Sequence, residues 1–166
     1  MNLPRRWTAV AAVLLAALLC ACATPPRPAG PVDAALGPWS GRLAVQVADK
    51  PDGSFSAAFE LRGNADAGEL SLYSPLGGTL GVVHWEPGKA VLRSGAKATE
   101  FDSIDALVAR VAGSPIPIAA LFDWLRGIAT PVSGWQANLS QLAQGRISAK
   151  RYEPPPEADL RVVLER

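Results

Sequence analysis

The sequence predicts a mainly β fold: a curved antiparallel sheet of eight or so strands, closed on one side by helices. Three observations predict it. From Trp39 onward the apolar residues recur with period two. Between Ile104 and Leu125 they change to the spacing of a helix, and from Trp135 the strand-like pattern returns. A half-buried strand needs one apolar and one solvated face, whereas an amphipathic helix needs apolar residues at i, i+3, i+4 and i+7.

Leu43, Val45 and Val47 alternate with Arg42 and Gln46, and Phe55, Ala57, Phe59 and Leu61 alternate with Ser56, Glu60 and Arg62. Leu70 and Leu72 alternate with Glu69 and Ser71. The links Asp49-Lys50-Pro51-Asp52-Gly53 and Gly63-Asn64-Ala65-Asp66-Ala67-Gly68 are short and turn-forming, as in a meander. Thr79 to Trp85 and Lys89 to Arg93 continue it around Glu86-Pro87-Gly88. Ile104, Leu107, Val108 and Val111 then mark a helix with Ser103 as N-cap and an end near Gly113. Ile118, Leu121, Phe122 and Leu125 mark a second, with Pro117 at its first position and Gly127 as its stop. Strands return at Trp135 to Leu139, Arg146 to Tyr152 and Leu160 to Leu164. The sequence shows no internal repeat.

The front of the chain reads differently. Arg5 and Arg6 precede a short apolar run, Ala9 to Leu19, and then small residues and Cys22. This is the anatomy of a bacterial secretory signal, and the run is too short to span a membrane, which takes about 20 residues. Leu19-Cys20-Ala21-Cys22 resembles the lipobox of bacterial lipoproteins, in which a small residue precedes the modified cysteine. Ala21 before Cys22 fits and Leu19 before Cys20 does not, so residues 1–21 are expected to be removed and Cys22 to carry the lipid. Two acyl chains, at about 0.8 kcal/mol per buried CH₂, already anchor a protein stably. The plainer alternative is a cleaved signal beside a chance cysteine. Ala23, where an Asp resembles an inner-membrane retention signal, favours the outer membrane. Residues 22–38, with Pro25, Pro26, Pro28 and Pro31, read as an extended tether, and residues 39–166 as the folded part.

Composition excludes several functions. The formal charge is +1; loss of Arg5 and Arg6 leaves 14 Lys+Arg against 15 Asp+Glu. Such a near-neutral surface has no electrostatic reason to bind nucleic acid. Cys20 and Cys22 are the only cysteines, so an apolar core and not a disulfide framework must hold the fold. No Walker, Rossmann or metal-spacing motif is present, so no cofactor or metal is expected. The single histidine, His84, lies in a strand between Val83 and Trp85, with no nucleophile motif around it. Glu60, Glu69 and Glu86 look like a solvated sheet face. The chain reads as non-catalytic.

Three segments carry a family resemblance: Trp39-Ser40-Gly41-Arg42-Leu43-Ala44-Val45; Ser74-Pro75-Leu76-Gly77-Gly78-Thr79-Leu80; and Gly113-Ser114-Pro115-Ile116-Pro117-Ile118 running into Trp124-Leu125-Arg126-Gly127. With the lipobox they resemble LolB, the outer-membrane lipoprotein receptor family, over nearly the whole chain. The resemblance implies an unclosed β-barrel with a helical lid over a hydrophobic cavity. It implies a receptor that takes acylated lipoproteins from a LolA-like periplasmic carrier and inserts them into the outer membrane, acting as a lipid-anchored monomer that faces the periplasm. A loop leucine implicated in that insertion matches Leu76. The tail Arg161-Val162-Val163-Leu164-Glu165-Arg166 departs from the pattern in lacking a terminal tryptophan, which suggests a trimmed last strand or a less covered edge.

Acyl chains carry no charge to recognise, so their receptor needs a concave apolar surface. Phe55, Phe59, Leu70, Leu72, Val82, Phe122 and Leu125 are the candidates to line it. Periodicity alone does not distinguish such a pocket from a solid core. In Ser74-Pro75-Leu76-Gly77, Pro at i+1 and Gly at i+3 place Leu76 at a turn tip, where membrane contact and an ordinary exposed leucine are equally good readings of the turn alone. Two other functions fit the same pattern: a lipocalin-like lipid-binding lipoprotein, and a structural accessory lipoprotein of an outer-membrane assembly machine.

Overall fold

The computed structural model describes residues 37–48 and 54–165. The expected signal, Cys22 and the tether as far as residue 36 lie outside the described residues. Nine strands form one antiparallel sheet: β1 (Trp39–Val47), β2 (Phe55–Gly63), β3 (Gly68–Tyr73), β4 (Thr79–Glu86), β5 (Lys89–Ser94), β6 (Lys97–Phe101), β7 (Trp135–Asn138), β8 (Arg146–Arg151) and β9 (Ala158–Leu164). Their spatial order is β6-β5-β4-β3-β2-β1-β9-β8-β7. The sheet is unclosed, with β6 and β7 as its edges. The chain leaves at one edge and re-enters at the other through two helices, α1 (Ile104–Ala112) and α2 (Ile118–Leu125).

The register makes the alternation of the sequence three-dimensional. Leu61, Leu70, Val83 and Leu92 lie side by side on one face, in line with Trp39. The neighbouring row, Ser40, Glu60, Ser71, Val82 and Arg93, belongs to the other face. The first face holds the core, with Val45, Phe59, Leu61, Val83, Trp85, Leu160 and Val162 buried beneath Ile104, Leu107, Ile118 and Phe122 of the helices.

The helices start and stop where short-range chemistry dictates. Ser103 Oγ accepts from the Ala106 N–H at 3.1 Å, and Gly113 ends α1 at φ 68°, a left-handed conformation that costs glycine little. Pro117 flanks α2 and does not occupy its first turn. The sequence reading missed β6 as a strand. Its Lys97-Ala98-Thr99-Glu100 run has almost no apolar face, as suits an edge strand. The tail forms a strand, β9, paired with β1 on one side and β8 on the other. It is not a less covered edge: β9 lies inside the sheet, and the edges are β6 and β7.

Arg151 breaks the apolar pattern. Its row is shared with Trp135, Ala158 and Val47, so it faces the core side, and it is 5% exposed. A buried cation must keep its hydrogen bonds. Its Nη1 donates at 2.8 Å to Oγ of Ser114, a fully buried residue in the link between the helices. This bond fastens the inter-helix link to β8. Ser114→Ala leaves the guanidinium without that acceptor and is expected to lower unfolding stability by about 1.5–3 kcal/mol in urea titrations. Adding Arg151→Met is expected to recover part of the loss, because a thioether needs no acceptor.

Candidate functional site

Between sheet and helices lies a cavity of about 70 Å³. Its floor is Leu43 from β1, Phe59 and Leu61 from β2, Leu70 from β3, Trp85 from β4, and Leu160 and Val162 from β9. Its roof is Ile104 and Val108 from α1 with Ile118, Leu121, Phe122 and Leu125 from α2. Every lining side chain is apolar. Pockets that hold small ligands run to roughly 300–1,000 Å³, so this one is a narrow seam. Depressions of about 290 and 470 Å³ on β7–β9 are larger, but Asn138, Gln141, Arg146, Lys150 and Asp159 among their walls make them unsuited to hydrocarbon.

Aromatic side chains pack along the seam. Phe122 meets Trp39 edge-on at 5.6 Å between ring centroids and Trp85 at 6.3 Å. Trp85 lies so close over Gly68 that a Cβ there would come within 2.4 Å of the ring, and its Nε1 donates to the Asn64 carbonyl at 3.0 Å. The absence of a side chain at position 68 therefore leaves room for the indole and for the Arg62 carbonyl. Trp124, 1% exposed, packs on Trp135 at 6.3 Å and donates to the Thr130 carbonyl.

The helices meet the sheet through apolar contact. Among the described residues, no side-chain hydrogen bond or ion pair joins α1 or α2 to a strand; the Arg151–Ser114 bond reaches only the link between them. Polar fastening stays local to the end of α2. There Asp123 accepts from Thr130 Oγ1 at 2.6 Å and pairs with Arg126. The Thr130 bond first, and the Arg126 bond after it, hold the Asp123 carboxyl below the ordinary carboxylate range.

The structure separates the candidate residues. Phe59, Leu70, Phe122 and Leu125 line the cavity. Phe55 and Leu72 share its sheet face and pack against the core, outside the lining. Val82 is placed on the opposite face, because Val83 and Trp85 take the inward parity of β4. An apolar run read without its register hides that distinction. Trp85 and Leu61 were missed, although Trp85 shares the parity of Val83 and Leu61 that of Phe59. The roof residues Val108, Ile118 and Leu121 were legible as helix faces but not as neighbours of β2.

Leu76 stands at the tip of the β3–β4 loop, 98% exposed. Ser74 clamps that loop. Its carbonyl accepts from Gly77 N–H at 2.9 Å, its N–H donates to the Gly78 carbonyl at 2.8 Å, and its Oγ accepts from Gly78 N–H at 3.1 Å. The leucine is thus held outward by a fixed turn. His84 is exposed on β4, opposite Glu69 and Val91, and among the described residues no three His, Cys, Asp or Glu side chains gather as a metal site.

The family profile described as "Outer membrane lipoprotein LolB" matches residues 38–156. The chain is 32% identical to a Bordetella petrii protein over 90% of this chain and 86% of that one. It is 32% identical to a Bordetella pertussis protein over 97% and 94%, and 34% identical to a Chromobacterium violaceum protein over 70% and 66%. All three are named "Outer-membrane lipoprotein LolB".

Two outcomes test the packing. Phe122→Ala removes the ring between Trp39 and Trp85 and is expected to cost about 3–5 kcal/mol of unfolding free energy in a denaturant titration. The Asp123 contribution is fully present above the unfolded carboxylate value of about 4 and is lost as pH falls through the lowered folded value. Asp123→Asn is therefore expected to flatten the acid limb of the stability–pH curve, read from thermal melts at descending pH.

Proposed function

The chain belongs to the outer-membrane lipoprotein LolB family, and we propose that it accepts acylated lipoproteins from a soluble, LolA-like periplasmic carrier and passes them into the outer membrane. Cys22 is the lipidated residue in this reading. Residues 1–21 are the cleaved signal, 22–38 the tether and 39–166 the receptor domain, a monomer without a catalytic step.

The observation that carries the reading is the wholly apolar seam beneath helices that touch the sheet only through apolar contact. An entering acyl chain exchanges one set of apolar contacts for another, and parting α1 and α2 from the floor breaks no side-chain hydrogen bond of either helix to the sheet, the Arg151–Ser114 bond holding the link between them. In this reading cargo enters as α1 and α2 move away from the floor. Phe59, Leu70, Phe122 and Leu125 then line the path of the chain. Transfer needs no nucleotide. Carrier and receptor need only differ in affinity for the same hydrocarbon, each 1.4 kcal/mol being about tenfold, with the bilayer as the final sink.

Leu76 serves the last step. A leucine held on a rigid tip in water gains by entering the acyl region of a membrane, and it does so without disturbing the cavity. Leu76→Glu is expected to leave thermal stability and acceptance of radiolabelled lipoprotein from the purified carrier unchanged, while delivery to outer-membrane vesicles falls at least tenfold. Full delivery by that variant would remove Leu76 from the mechanism. Failure of the folded parent to accept any cargo, with fatty acid bound instead, would favour a simple lipid-binding lipoprotein.

A further inference from the structure

The Leu76 loop has a neighbour at its end of the sheet. Ser94 Oγ donates to the Leu80 carbonyl at 2.9 Å, tying the β5–β6 turn to the start of β4. The turns after β3 and after β5 therefore project side by side. Leu76 is 98% exposed and Leu80 48%.

Two cations lie at the same end of the sheet as these leucines. Arg93 is paired with Val82, which shares its strand face with Leu80 two residues earlier. Lys97 opens β6 directly after the turn, opposite Ser94. Both are exposed, and among the described residues neither has a carboxylate within ion-pairing distance. From Leu70 to Ala98 the one carboxylate is Glu86, at the far end of β4 beside Lys89.

An apolar tip with unpaired cations at the same end of the sheet has the composition of an interfacial anchor. The aliphatic side chains enter the acyl boundary while the cations stay at the depth of the lipid phosphates. An acidic protein partner would satisfy the two charges but would give a rigid, fully exposed leucine no hydrocarbon to enter. Resting on the membrane role proposed for Leu76, we infer that this end of the sheet docks on an anionic phospholipid surface. Leu76 and Leu80 enter the surface, and Arg93 and Lys97 bind the headgroup phosphates. Each cation contributes roughly a fivefold gain in contact with an anionic surface, so the pair contributes at least about tenfold.

The test uses the full lipid-anchored chain in vesicles, with an environment-sensitive fluorophore on Pro75→Cys beside the intact Leu76. Vesicles of phosphatidylcholine are compared with vesicles that also contain phosphatidylglycerol. The expected result is a blue-shifted tip in the anionic vesicles, reversed by high salt. In R93Q/K97Q the membrane-inserted fraction is reduced about tenfold, with an unchanged melting temperature. Equal insertion in both vesicle types, indifferent to R93Q/K97Q, would overturn the electrostatic docking and leave the Leu76 role standing. No blue shift in any vesicle would overturn both.

Discussion

An unclosed antiparallel sheet with one apolar face must have that face covered, and the rest of this structure follows from how the covering is done. The apolar face, from Val45 and Phe59 to Leu160 and Val162, would otherwise meet water. The chain covers it with the segment that connects the two edges, so α1 and α2 lie across the opening that a closed barrel would not have. Covering by helices rather than by further strands leaves no hydrogen-bond ladder between lid and floor. The two layers are held by packing, and packing can be exchanged.

Phe122 concentrates that packing. It touches both Trp39, at the entrance of the first strand, and Trp85, whose position depends on the absence of a side chain at Gly68. The polar tie is a buried one beside the seam, where Arg151 and Ser114 join the inter-helix link to β8. Such an arrangement fixes the link between the two helices while the apolar seam between helices and sheet stays free of polar partners. A hydrocarbon guest is matched to that seam and a polar one is not.

The β3–β4 loop answers a different constraint. Burying a leucine stabilises a fold by roughly 1.5–3 kcal/mol, and Leu76 forgoes nearly all of that. The hydrogen bonds of Ser74 keep the turn from folding it inward. Leu76 is thus not part of the cavity lining, although it lies between Leu70 and Trp85 in the chain.

Much of this was legible in the sequence because it depends on local periodicity. Alternation in β1, β2 and β4, the switch of period at Ile104, the Ser103 cap and the Leu76 turn all arise from interactions within a few residues. The family resemblance of Trp39–Val45, Ser74–Leu80 and Gly113–Gly127 was equally a property of the linear chain. Register was not, because it is set by pairing between distant segments. Only the fold could move Val82 to the outer face, bring Trp85 and Leu61 to the cavity and set β9 beside β1. Only the fold could bury Arg151 against Ser114, 37 residues away. Residue types and spacings state which faces are apolar; long-range strand pairing decides which of those faces meet.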